Sequence, residues 1–162
     1  MAHRRSPEVL ALLRLLEEGY EKKAWHGPNI KGSLRGLTPE EAAWHPGNGR
    51  HSIWEIAVHC AYWKYAVWRQ LTGNKRGSFP LKGSNWFKRP LVLRKEALHE
   101  DLLLLERMHA QLHDVVATLP DSTLHRKPRG SKYPARFIIS GAASHDIYHA
   151  GQIQLIKRLM RN

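Results

Sequence analysis

A single cysteine, Cys60, stands among 162 residues. No disulfide can form within the chain, and a reducing compartment suits it. No uncharged apolar run approaches the ~20 residues that a membrane-spanning helix needs. The N-terminus opens on His3, Arg4 and Arg5, but Arg14 and Glu17 interrupt the apolar stretch that follows, which makes a poor signal peptide. A cytoplasmic protein with no membrane partner is the expectation. Strand-like alternation and internal repeats are also missing. Acids are scarce, 14 against 26 Lys and Arg, for a net charge of +12. What is there is a chain 42% hydrophobic. It is long enough for one domain over residues 1–162 and too rich in Leu, Ile, Val and Trp to be disordered.

The charge is concentrated. Thr72 to Lys95 carries Lys75, Arg76, Lys82, Lys88, Arg89, Arg94 and Lys95 without an acid. Ser122 to Arg136 carries Arg126, Lys127, Arg129, Lys132 and Arg136, again without an acid. These two segments hold the whole excess, so the rest of the chain is balanced. Both are rich in Gly, Pro and Ser, the composition of loops. Such loops attract phosphate, which opens a reading as a weak, nonspecific nucleic-acid-binding module. They equally attract a small anionic substrate, or simply keep the protein soluble.

Helix signals are local and clear. Ser6-Pro7-Glu8 starts a helix that continues through Val9, Leu12, Leu13, Leu16 and Tyr20 to about Trp25. Thr38 with Glu41, and Ser52 with Glu55, are spaced as capping boxes. The first opens a short helix stopped at Pro46-Gly47, the second a long one ending near Thr72-Gly73. A third long helix places Leu98, Leu102, Leu105, Leu112, Val116 and Leu119 on one face before Pro120, and the last runs from about Pro134 to Met160. Four long helices in an all-α chain predict a four-helix bundle. More than twenty residues separate the second and third long helices, too many for a hairpin between antiparallel neighbours. That connection reads as a crossover, giving an up-down-down-up path.

Histidines carry the chemistry. His145 and His149 are four apart on the last helix and project from one face, a spacing that lets two imidazoles chelate one ion. Gly141, Ala142, Ala143 and Ser144 leave space beside them. His59 lies among Ile56, Cys60 and Trp63 on the second long helix, facing inward at a depth that permits one shared site. His109 and His113 are also four apart, but their polar flanks place them on a solvated face. Asp146 is turned ~100° from the ligand face and reads as a surface acid. Cys60 reads as a small core residue and most of the six tryptophans as core. Trp86 and Phe87, beside Lys88 and Arg89, read as a lid or a single-strand contact.

Two segments, Ser52-Ile53-Trp54-Glu55-Ile56-Ala57-Val58-His59 and His145-Asp146-Ile147-Tyr148-His149-Ala150-Gly151-Gln152, resemble the DinB/YfiT-like family of small bacterial four-helix bundles. Leu37-Thr38-Pro39-Glu40-Glu41 and Phe79-Pro80 fit as well. The resemblance implies a three-histidine site at His59, His145 and His149, the up-down-down-up path, and frequent homodimers. It also implies thiol-dependent transferases and isomerases that use low-molecular-weight thiols. Three neutral imidazoles leave coordination positions open, the catalytic arrangement, and suit Zn, Ni, Cu or Fe, among which ligand type does not choose; a divalent ion, Zn or Ni, is the expectation. Thiol transfer and hydrolysis are both readings of such a site; a non-catalytic metal-binding bundle is another. No catalytic acid or base stands out. Gln152, one turn beyond His149, is placed to bind substrate or water. Arg50, His51, Trp86, Lys88 and Arg89 are expected at the rim of the entrance, with the Ser122–Arg136 loop at the far end and without influence.

Overall fold

The computed structural model describes residues 5–161, so His3 and Arg4 lie outside the described residues. Each expected cap forms. Ser6 accepts from the Val9 amide and opens α1 (Pro7–Tyr20). Asn29 caps α2 (Ile30–Ser33). Thr38 and Glu41 close a reciprocal box on α3 (Pro39–Ala43), and Ser52 and Glu55 close another on α4 (Ile53–Thr72). These pairs satisfy the amides that a helix start leaves unbonded. Gly73 ends α4 in the left-handed region, φ 72°, where a side chain would be strained. The remaining helices are α5 (Lys95–Thr118), α6 (Asp121–Leu124) and α7 (Ala135–Leu159). No strand occurs among the described residues, apart from an isolated Ala24–Gly27 bridge. Among the described residues, no helix is long and apolar enough to cross a membrane.

The first helix is shorter than its periodicity predicts. It ends at Tyr20, because the amides of both Glu21 and Lys22 bond the Glu17 carbonyl and close the last turn. Trp25 therefore lies on a turn, fully exposed, and is not core. The short α2 and α6 carry no periodicity to announce them.

Of the four long helices, α4 packs against α5 and α7, and α1 against α7 and α5. Gly19 permits the close α1–α7 approach: a Cβ there would lie 2.9 Å from the Ala143 carbonyl oxygen. The core forms two clusters. One joins Tyr20, the first half of α4, the first half of α5, and Ala150, Ile153 and Ile156 of α7. The other joins Val9 to Leu16, Val67, Leu112, Val116 and the first half of α7.

Between them lies a buried polar layer of Lys64, His109 and Asp146. Lys64 pairs with Asp146, approaches His109 Nδ1 at 3.3 Å and sits 5.3 Å from the centre of the Tyr20 ring. His109 stacks on Tyr20 at 3.8 Å. Two expectations are corrected here. Asp146 is not a surface acid: it is fully buried, on the side of α7 that α1 covers. His109 is not solvated either, whereas His113 is half-buried and meets Glu17 at 3.2 Å. Burial pushes the Asp146 carboxyl upward and Lys64 pulls it back. Burial, then Lys64, holds His109 neutral.

Candidate metal centre

The histidine pair of α7 and the single histidine of α4 converge. His59 Nε2 and His149 Nε2 each lie 3.1 Å from His145 Nε2, and the three form a group able to hold one ion. His59 and His149 are buried and His145 is half-buried. Cys60, His145 and Asp146 also come within ligand distance of one another. That second set is a poor holder, because Lys64 already occupies Asp146 and burial pushes the Cys60 thiol well up.

The far side of two rings is committed. His59 Nδ1 donates to the Asn85 carbonyl at 2.8 Å. His149 Nδ1 donates to Gln152 Oε1 at 2.6 Å, and Gln152 in turn donates to the Tyr148 hydroxyl. With the proton on Nδ1, each Nε2 presents a lone pair to the centre. His145 Nε2 faces both lone pairs, and one N–H can serve only one of them. A cation serves all three, and ligand imidazoles with hydrogen-bonded Nδ1 groups are the usual metal arrangement. The spacing fits too: nitrogens 3.1 Å apart subtend about 100° at an ion ~2.05 Å from each.

The rings are held neutral. Burial, then the neighbouring His149 and His59, lowers His145 to about 3. Burial, then His59, lowers His149 to about 4. Burial lowers His59 as well. The unfolded imidazoles titrate near pH 6.5, so the unfolded chain takes up protons first as pH falls. The metal-free protein is therefore expected to hold its full stability above about pH 6.5 and to lose it progressively towards pH 4. Urea midpoints of chelator-treated protein at pH 7, 5.5 and 4 check this; equal midpoints would contradict it.

The crossover shapes the wall of the centre. Trp86 stacks on His59 at 3.7 Å and on His51 at 3.5 Å. Asn85, at φ 64°, accepts a hydrogen bond from His59 Nδ1–H on its backbone oxygen and one from the Trp63 indole N–H on Oδ1. His51 is further held by Glu55 at 3.2 Å. A hollow of about 780 Å³ opens over the three histidines, and Arg50, His51, Trp86, Tyr148, Gln152 and Leu155 line part of it.

Thus His59, His145 and His149 come together, and Arg50, His51, Trp86 and Gln152 border the same space. Lys88 and Arg89 do not. Lys88 is exposed away from the lining, and Arg89 turns onto Asp101, which also accepts from Trp54 Nε1 at 2.7 Å. The loop after α5 was expected to be remote, yet Gly130 to Tyr133 border a second hollow that reaches His145. Asn85 is a support that sequence alone does not single out, and Glu55, legible there as a helix cap, also holds His51. The one available signal for Asn85 was its nearness in the chain to Trp86.

Gln152 is expected to matter through His149. Gln152→Leu removes the Nδ1 acceptor and should weaken metal binding ~10–100-fold without unfolding the protein. Competition with a chromophoric chelator measures this, and an unchanged affinity would remove Gln152 from the centre.

No curated protein and no solved structure matches the chain. The family model of the DinB superfamily matches residues 25–153. That span takes in His59, His145 and His149, and the chain belongs to the DinB superfamily.

Proposed function

We propose that the chain is a metal-dependent enzyme whose His59, His145 and His149 hold one divalent ion, Zn or Ni, and that it acts by thiol transfer or hydrolysis. The observation that carries this is the meeting of three neutral imidazole nitrogens whose outer nitrogens are already hydrogen-bonded. When bound, the ion supplies a Lewis acid that favours the deprotonated form of a thiol or of water. The chain's own residues do the rest. Asn85 and Gln152 fix the ring orientations, and Trp86 shields the His59 face from water. Arg50 and His51 at the mouth favour an anionic substrate or the carboxylates of a low-molecular-weight thiol.

We also infer the up-down-down-up path. In its support, one core cluster collects the starts of α4 and α5 with the ends of α1 and α7. A homodimer in the cytoplasm, with one domain over residues 1–162, completes the reading. Attraction to nucleic acid is, in this reading, a weak consequence of the basic loops.

Elemental analysis of the purified protein tests the proposal. One divalent ion per chain, lost in the His59→Ala/His145→Ala/His149→Ala variant, is the expected result. A cobalt-loaded sample should show a thiolate-to-cobalt absorption band on adding a small thiol. Metal-free protein that also fails to take up added Zn or Ni would overturn it.

A further inference from the structure

The second hollow shares only His145 with the one over the three histidines. It has a volume of about 390 Å³ and runs between α4 and α7, on the N-terminal side of His145 along α7. Its walls include Trp63, Val67, Ile138 and a stacked pair, Tyr133 and Phe137, with ring centres 4.6 Å apart. Both rings of that pair are more than half exposed, at 52% and 55%. Lys132 stands at its edge and no acid borders it. Gly141 forms part of its floor. A Cβ at Gly141 would meet nothing within 4 Å, so packing does not require a glycine at a helix-interior position that alanine favours. The space above Gly141 is open enough to take a Cβ without contact, and only a larger side chain would fill it.

We propose that this groove is a binding subsite for a flat apolar molecule carrying an anionic group. The ring lies against Trp63 and the Tyr133–Phe137 stack, Lys132 meets the anion, and one end reaches His145. The subsite rests on the metal-centre reading for its purpose but not for its binding. Two hollows meeting at one histidine suit a reaction between two organic molecules better than hydrolysis, where water is the second reactant.

The probe is 8-anilinonaphthalene-1-sulfonate, a flat aromatic anion whose fluorescence rises in apolar surroundings, titrated into metal-loaded and chelator-treated protein. Saturable binding is expected in both. Gly141→Phe should weaken it at least tenfold and Gly141→Ala should leave it unchanged. Lys132→Glu, on an exposed loop, should weaken it severalfold at low salt and less at high salt. If Gly141→Phe does not fold, Phe137→Ala takes its place. His149→Ala should lose metal while keeping probe affinity within about twofold, so failure of the centre and failure of the groove are read separately. Probe affinity indifferent to Gly141→Phe and Lys132→Glu would overturn the proposal. So would a sedimenting dimer that Gly141→Phe converts to monomer, since the groove would then belong to a second copy of the chain.

Discussion

Replacing Lys64 with methionine is expected to lower the thermal unfolding midpoint by about 10 °C. The substitution keeps the length and apolar stem of the side chain but leaves Asp146 buried without its cation. Removing one partner of a buried pair costs about 3–5 kcal/mol, because the remaining charge is uncompensated. For a chain of this size each kcal/mol moves the midpoint by roughly 2–4 °C. The double variant Lys64→Met/Asp146→Ala should recover part of the loss, since no uncompensated charge is left buried and the small side chain does not overfill the space beside Gly19. The deficit of the single variant relative to wild type should shrink at lower pH. Burial raises the Asp146 carboxyl, so in the variant it takes a proton above the unfolded value, and that proton relieves the penalty. Calorimetry of the three proteins at two pH values checks both points. A shift under 2 °C for Lys64→Met would mean that the pair contributes nothing.

The second large effect concerns the ion. Adding Zn or Ni to chelator-treated protein, at about a thousandfold excess over the dissociation constant, should stabilise the fold by about 4 kcal/mol. That is again a shift on the order of 10 °C for a protein of this size. His145→Ala should abolish the shift, because His145 Nε2 is the atom that the other two ring nitrogens both approach at 3.1 Å. His113→Ala should keep it, since that ring meets Glu17 instead. A shift retained in His145→Ala, or lost in His113→Ala, would move the centre elsewhere.

The sequence speaks clearly where structure is decided locally. Ser6, Thr38 and Ser52 cap helices because their partners are three residues away. His145 and His149 share a face because helical spacing places them there. His59 was legible from its apolar neighbours. The polar layer was not legible, for a physical reason. Periodicity correctly turned Asp146 away from the ligand face, but it does not say whether another helix covers that angle. Here α1 does, through Gly19, whose partners lie more than a hundred residues downstream. His109 failed likewise: its charged neighbours in sequence occupy other faces of α5. Lys64, alone among apolar residues in the middle of α4, was the signal for both. Arg89 shows the same limit in a loop. Its charge could be read, but not the Asp101 carboxylate that turns it from the rim.

The Asn85 carbonyl that orients His59 belongs to the crossover, and the other two histidines of the cluster belong to the last helix. His59, from the first half of the chain, is thus oriented only once the crossover has folded over it, and it meets His145 and His149 only once α7 has packed beside α4. The cluster is a junction of three segments far apart in sequence, so local unfolding of any one of them would disperse it.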